Sequence, residues 1–406
     1  TSVAPRSSEN ISVSTIYSSV NRYNSGWNWP TFIGIKQKNG EPSRNFSGEC
    51  ADINAKFPGF AYVCGDSGKW NNDHFGTDDR ESAAYVRMTS SGVWQKIDIN
   101  PTSNFVTRFY VVASDPKVGS ARVYLGGTCT ASYNFYISKD TGKTWPASNN
   151  NYRKEIGTAS VPIYCLAIDT SEGISFDGSY HSKNLYAGLG GTSGVYKSSD
   201  GGDAWSQKFS GYGIRSIAVN GKNTTTAQTV YAGGDDSLWK SVNGFSNVSS
   251  INTPFNGTKR ILMHPSYPSS VNHVWIITAN GNQIYKTTNG GNSWDSVNIT
   301  TLPKPVNDLR SDPTNRRIIY AATAGGVFKI DPAPEAPTIS VLDEGQVHPT
   351  IYWQHTEESD RKEYKIYKRR GWTVAFQYRA TTTGTSYSDA SENIYWDGDT
   401  LSLFYY

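Results

Sequence analysis

The stretch Ser138-Lys-Asp-Thr-Gly-Lys-Thr-Trp145 places one carboxylate, Asp140, among the hydroxyls of Ser138, Thr141 and Thr144. A carboxylate so placed could pass a proton to or from a substrate. The same spacing returns at Ser198–Trp205, with Asp200 and Gly202, and at Thr287–Trp294, with Asn289 and Gly291. An amide at Asn289 cannot transfer protons as an acid does, but it can still accept a hydrogen bond. What the three copies share is therefore a turn. Asp140 accepts backbone N–H groups in its own loop, Gly142 supplies a positive φ, and Trp145 opens the next strand and packs.

Other loop acids are Asp66, Asp73, Asp78 and Asp79, then Asp177, then Asp235 and Asp236. Two carboxylates facing each other at about 6.5–9.5 Å would hydrolyse a glycosidic bond with inversion; each of these acids reads first as a turn or surface residue. Trp27 and Trp29 in "NRYNSGWNWPTF", and Trp70 with Asp73 in "KWNNDHF", set aromatic faces beside polar edges. Such tryptophans either stack on sugar rings or fill a core. The six histidines show no pairing, "GTSG" at Gly191 lacks the strand–elbow–helix context of a nucleophilic serine, and there is no phosphate loop or dinucleotide fingerprint. No cofactor is expected. No cysteine or histidine spacing calls for a metal. Cys50 and Cys64 bracket a short loop that a disulfide would close, stabilising the fold by about 3 kcal/mol. Cys129 and Cys165 leave their pairing open.

The chain has 406 residues and a net charge of +3 spread along its length. That diffuse charge argues against a nucleic-acid partner. No apolar run is long enough to span a bilayer, and the first residues lack the basic-then-apolar layout of a signal peptide. Abundant Ser, Thr, Asn, Gly and Tyr suit a turn-rich protein of the extracellular space or cell surface.

The elements that must position these residues come from a repeat. Hairpin-like pairs of apolar runs precede the turns: "NLYAGLGGTSGVYKS", "TVYAGGDDSLWKS", "HVWIITANGNQIYKT" and "IIYAATAGGVFKI". One more run precedes each pair ("IYCLAID", "IRSIAVN", "RILMHP", "VNDLRSDP"), and another follows several of the tryptophans ("WQKIDIN", "WSQKFS", "WDSVNIT"). Four short antiparallel strands per unit describe the blade of a β-propeller. Six units end near Trp94, Trp145, Trp205, Val248, Trp294 and Ile330. The last lacks an outer strand, which "ENISVSTIYSSV" or "PTFIGIKQ" could supply. The N-terminal stretch could equally build a seventh blade.

Ser-x-Asp-x-Gly-x-Thr-Trp resembles the Asp-box, or BNR repeat, of sialidases, xyloglucan-degrading hydrolases, sortilin-type receptors and a photosystem assembly factor. The resemblance covers roughly residues 62–330. With the six or seven units counted above, it implies an all-β propeller whose boxes lie at the periphery, away from an axial site. A sialidase would also need three convergent arginines and an Arg-Ile-Pro motif. The motif is absent, and Arg108, Arg215, Arg260 and Arg310 stand at different offsets from their strand ends. Xyloglucanase-like relatives resemble two facing propellers, and here there is one.

The expected organisation is an N-terminal segment over 1–60, a propeller over 61–331, a proline-rich linker over 332–337 and a further module over 338–406. The last resembles a fibronectin type III domain, with Trp353 as its core tryptophan and "LSLFYY" as its sixth strand, its seventh lacking. An open edge there would be closed by a longer polypeptide or by a strand from another copy. The functional expectation is an extracellular, non-enzymatic propeller for binding, adhesion or surface assembly, with a polysaccharide or cell-surface ligand. The alternative is a glycoside hydrolase of the same propeller type.

Overall fold

The computed structural model describes residues 2–5, 11–14, 47–53, 60–66, 82–87, 95–97, 99, 106–117, 119–129, 133–146, 151–176, 179–219, 228–263, 272–311, 318–330, 338–343, 350–354, 364–370, 377–390 and 401–405. All regular structure among them is β, and every strand pairing is antiparallel. The chain opens with a two-stranded sheet, β1 (Ser2–Pro5) and β2 (Ile11–Ser14). The first four-stranded blade follows: β3 (Ser47–Ile53), β4 (Ala61–Asp66), β5 (Ser82–Arg87) and β6 (Gln95–Lys96). The second is β7 (Val106–Ser114), β8 (Val123–Cys129), β9 (Phe135–Ser138) and β10 (Arg153–Lys154). The third is β11 (Ile163–Phe176), β12 (Ser179–Leu189), β13 (Gly194–Ser198) and β14 (Ser206–Phe209). The fourth is β15 (Ile214–Val219), β16 (Val230–Gly234), β17 (Leu238–Ser241) and β18 (Ser249–Ile251). The fifth is β19 (Thr258–Met263), β20 (Val274–Thr278), β21 (Ile284–Thr287) and β22 (Asp295–Val297). A three-stranded unit then ends the propeller: β23 (Val306–Ser311), β24 (Ile319–Thr323) and β25 (Gly326–Ile330).

Among the described residues the protein is thus an all-β propeller with five four-stranded blades, not the six or seven expected. Physical reasons are visible at both ends. After Ile330 the chain reads Asp-Pro-Ala-Pro-Glu-Ala-Pro, and prolines have no N–H to offer a fourth strand. The N-terminal strands pair with each other, Ser2 opposite Ser14, instead of completing the sixth unit. β1 packs against β23 and against β3, so this small sheet occupies the place between the last unit and the first blade. The other proposed closing strand, "PTFIGIKQ", lies outside the described residues.

Second strands carry the core. β16 and β20 are buried along their whole lengths, whereas β14, β18 and β22 are largely exposed. Tyr62, Tyr124, Leu125, Phe135, Ile137 and Ile163 form a continuous apolar cluster between the first three blades. Similar clusters lie between later blades. Side chains thus pack between sheets, and each second strand is covered on both faces.

Asn315–Ile318 and Asp331–Tyr406 form a separate compact unit. It holds two three-stranded sheets. One is β26 (Thr338–Asp343), β27 (Thr350–Gln354) and β30 (Ser386–Ser388); the other is β29 (Gln377–Thr382), β28 (Tyr364–Arg370) and β31 (Leu401–Tyr405). Ile351 and Trp353 pack with Tyr364 and Ile366, with Ala380 and Tyr387 against them. A fibronectin type III sandwich is not shown: six strands are described where that fold has seven.

Cys50 and Cys64 are register partners on β3 and β4. No disulfide is seen among the described side chains, which do not include that of Cys50. Cys165 is fully buried, and burial pushes its thiol up to about 12. No helix among the described residues is long and apolar enough to cross a membrane.

Candidate functional site

The eight-residue turns join the third strand of a blade to its fourth. In the first, Ser138 Oγ donates to Asp140 Oδ1 at 2.7 Å and accepts from Gly142 N at 2.8 Å. Asp140 Oδ1 accepts from Thr144 N at 2.9 Å, and Oδ2 from Thr144 Oγ1 at 2.6 Å. Burial works to raise the Asp140 pKa, but the bonds from Thr144 and Ser138 outweigh it and hold the carboxyl below its usual range. Ser198, Asp200, Gly202 and Ala204 repeat the pattern. Thr287, Asn289, Gly291 and Ser293 do so as well, with Asn289 Oδ1 accepting from Ser293 N at 2.9 Å. Ser241 and Asn243 make a fourth copy in which Phe245, at φ 67, stands where the others have glycine. Trp145 and Trp205 donate Nε1–H to Gly142 O and Gly202 O, both at 3.0 Å. Trp294 Nε1 finds no acceptor among the described residues.

Three of the four turns also take hydrogen bonds from the preceding blade. Tyr62 OH on β4 donates to Thr141 O at 2.8 Å. Tyr124 OH and Arg122 Nη1, at the start of β8, donate to Gly201 O at 3.2 and 2.5 Å. Lys240 Nζ on β17 donates to Gly290 O at 3.4 Å. The carbonyl of the turn's fourth residue is bound in all three. These carboxylates and hydroxyls are consumed by the turn, and its carbonyls by the seam between blades.

The axis is different. Each of the six inner strands β3, β7, β11, β15, β19 and β23 carries a register shift, between residues 48/50, 109/111, 163/165, 214/216, 258/260 and 306/308. A bulge of this kind inserts one residue and re-aims its side chain. The residues inserted at these shifts are Glu49, Tyr110, Tyr164, Arg215, Lys259 and Asn307; β7 and β11 each carry a second shift, between 106/108 and 169/173. The five whose side chains are described all line an open channel of about 650 Å³, walled mainly by the inner strands. Neighbours in this ring touch. The Tyr110 and Tyr164 rings meet edge-on at 5.1 Å. The Arg215 guanidinium lies over the Tyr164 ring at 4.0 Å. Lys259 Nζ donates to Asn307 Oδ1 at 2.6 Å.

Asp235, from the turn between β16 and β17, is the one carboxylate among the described lining residues. Arg215 engages both its oxygens, Nε to Oδ1 at 2.9 Å and Nη2 to Oδ2 at 3.4 Å. Burial acts to lower the Arg215 pKa, but Asp235 and Tyr164 outweigh it and raise it. Beside the ring, Asp308 is buried and holds Arg260 Nε at 2.5 Å and Arg310 Nε at 3.3 Å. Burial and then the Arg260 charge lower the Lys259 pKa, against the pull of Asp308.

Of the acids and tryptophans singled out from sequence, Asp235 reaches this channel and Asp236 is exposed in the same turn. Trp27, Trp29, Trp70, Asp73 and Asp177 lie outside the described residues. The ring itself was missed. Its signal is faint: Tyr164, Arg215, Lys259 and Asn307 are each the second residue of an inner strand. Among the described residues no group of acids, cysteines or histidines could hold a metal.

Fold and site together define a β-propeller with a mixed aromatic and cationic axial mouth. No protein-family model matches the chain, and no curated protein matches it by sequence. Among solved structures it is similar to the GH74 enzyme of Niastella koreensis, with TM-score 0.57 and 15% identity over 88% of this chain and 58% of that one. It is also similar to the GH74 xyloglucanase of Xanthomonas campestris, with TM-score 0.51 and 15% identity over 77% of this chain and 51% of that one. The chain thus spans little more than half the length of either enzyme. At this identity the likeness is one of fold.

Proposed function

We propose that this protein is an extracellular, non-enzymatic propeller that binds glycans at its axial mouth, in adhesion or surface assembly. One observation carries the reading. Bulges turn two tyrosines and an arginine into the channel, while the one described lining carboxylate is bound by that arginine. Tyrosine faces and fixed donors suit a sugar's apolar face and polar rim. Hydrolysis would need two carboxyl groups in different roles. The eight-residue turns are read here as Asp-boxes with a structural duty, and residues 338–406 as a fibronectin-like presenting module that carries no chemistry. Cys50 and Cys64 are read as a disulfide, since directly opposed strand residues stand about 4.5–5.5 Å apart at Cα, within bonding range.

The second reading, a glycoside hydrolase, draws on the fold shared with two GH74 enzymes. One experiment separates them. The full chain is incubated with xyloglucan, other neutral glucans and acidic polysaccharides while binding and new reducing ends are measured. Binding that Tyr164→Ala removes, with no reducing ends released, supports the binding role. Reducing ends that disappear in Asp235→Asn would install the hydrolase.

A further inference from the structure

The two sides of the channel carry different chemistry. Blades two and three contribute Tyr110 and Tyr164; the next three units contribute Arg215, Lys259, Arg260 and Arg310. Among the described side chains, two carboxylates stand against these four cations, Asp235 and Asp308. Each carboxylate is already engaged: Asp235 by Arg215, and Asp308 by Arg260 and Arg310. Lys259 is left with a neutral partner, the Asn307 amide oxygen. It is half-buried, and Arg260 beside it adds a like charge. Among the described side chains the one carboxylate that acts on it, Asp308, is already shared by Arg260 and Arg310. A half-buried ammonium with no anion of its own is an unfavourable arrangement, which a ligand's anionic group would relieve.

We infer that the channel selects a carboxylate-bearing sugar, a uronate within an acidic polysaccharide, with the carboxylate at Lys259 and a sugar ring on the Tyr110–Tyr164 side. This rests on the glycan-binding reading above and adds the charge of the ligand. A sugar is preferred to an acidic peptide because the aromatic side of the ring offers flat apolar surface beside donors, which a row of acidic side chains would leave unused. The channel volume lies within the ordinary range of ligand sites.

The test uses the full chain and three probes: polygalacturonate, the same polymer fully methyl-esterified, and polyglutamate. Esterification keeps the sugar ring and removes the charge. Expected is at least about tenfold tighter binding of the acid than of the ester at low salt, the effect of one charge-assisted hydrogen bond, and weakening as salt rises. Lys259→Met should remove most of that preference, and Lys259→Arg should keep it. Equal binding of acid and ester overturns the inference and leaves glycan binding standing. Polyglutamate binding as tightly as polygalacturonate overturns the sugar class. Binding of neither polysaccharide overturns the inference, and glycan binding falls with it only if xyloglucan and other neutral glucans also fail to bind. Thermal melting of each variant separates lost affinity from lost fold, and the acid–ester comparison needs no variant.

Discussion

Two places in the blade repeat their backbone, and only one repeats its side chains. At the periphery the turn recurs with Ser or Thr first, Asp or Asn third, and the same bonds among them. At the axis the bulge recurs in six inner strands, yet the inserted residues are Glu49, Tyr110, Tyr164, Arg215, Lys259 and Asn307. Side chains that serve the backbone around them are the same wherever that backbone is the same. Side chains that serve something outside the backbone are free to differ. The turns thus read as structure and the ring as recognition, although only the turns carry a motif.

Breaking the seam should have the largest effect. Arg122 is fully buried and bonds to Gly201 O and, at 3.3 Å, to Asp203 of the next blade. Arg122→Ala should destabilise the propeller by about 3 kcal/mol, because Asp203 loses its buried partner and keeps only the partly exposed Lys154, at 3.5 Å. Chemical denaturation measures this, and an unchanged midpoint would show that the seam is not needed. The ring should respond in the opposite way. Tyr164→Ala should lower glycan affinity by about thirtyfold, roughly 2 kcal/mol, with little change in melting temperature. A large melting shift with intact affinity would make the ring structural and collapse the contrast.

Smaller effects sharpen the account of the turn. Gly142 has φ 84, and a Cβ there would stand 2.7 Å from Tyr62 Cε1. Gly142→Ala should therefore destabilise by about 2 kcal/mol, combining backbone strain with a displaced ring. Gly211, at φ 97 with nothing within 4 Å of a Cβ, should show the backbone part alone. Asp140→Ala should destabilise by about 1 kcal/mol, and Asp140→Asn by much less, since an amide serves at Asn289. The carboxyl of Asp140 is held below its unfolded value. Its contribution is present above the unfolded pKa and is lost as pH falls through the depressed folded one. Acid titration of stability should show that loss in the wild type and not in Asp140→Asn. An identical pH profile for the two would remove the carboxylate from the turn's energetics.

Much of the blade was legible. "NLYAGLGGTSGVYKS" became β12 and β13, and "IRSIAVN" became β15, because alternation and Gly-rich turns act within a few residues. The blade count was not legible, because closure depends on which distant strand reaches the last unit, and the N-terminal strands satisfied each other. The tyrosines of "AYVC" and "RVYLG" carry no motif. Their hydroxyls matter only because the neighbouring blade brings Thr141 O and Gly201 O to them.

The arginines show the same limit at the site. Counted from strand ends, Arg215, Arg260 and Arg310 have no common register. Counted from the bulge, Arg215 is the inserted residue, Arg260 follows Lys259, and Arg310 lies beyond Asp308. The sequence alone determined the strands, the turns and the residue types available, since these follow from near-neighbour sterics and hydrogen bonding. Only the tertiary structure decided which of those residues share one mouth. A bulge re-aims a side chain by a single position, and residues from five separate sheets meet at the axis only when those sheets are arranged around it.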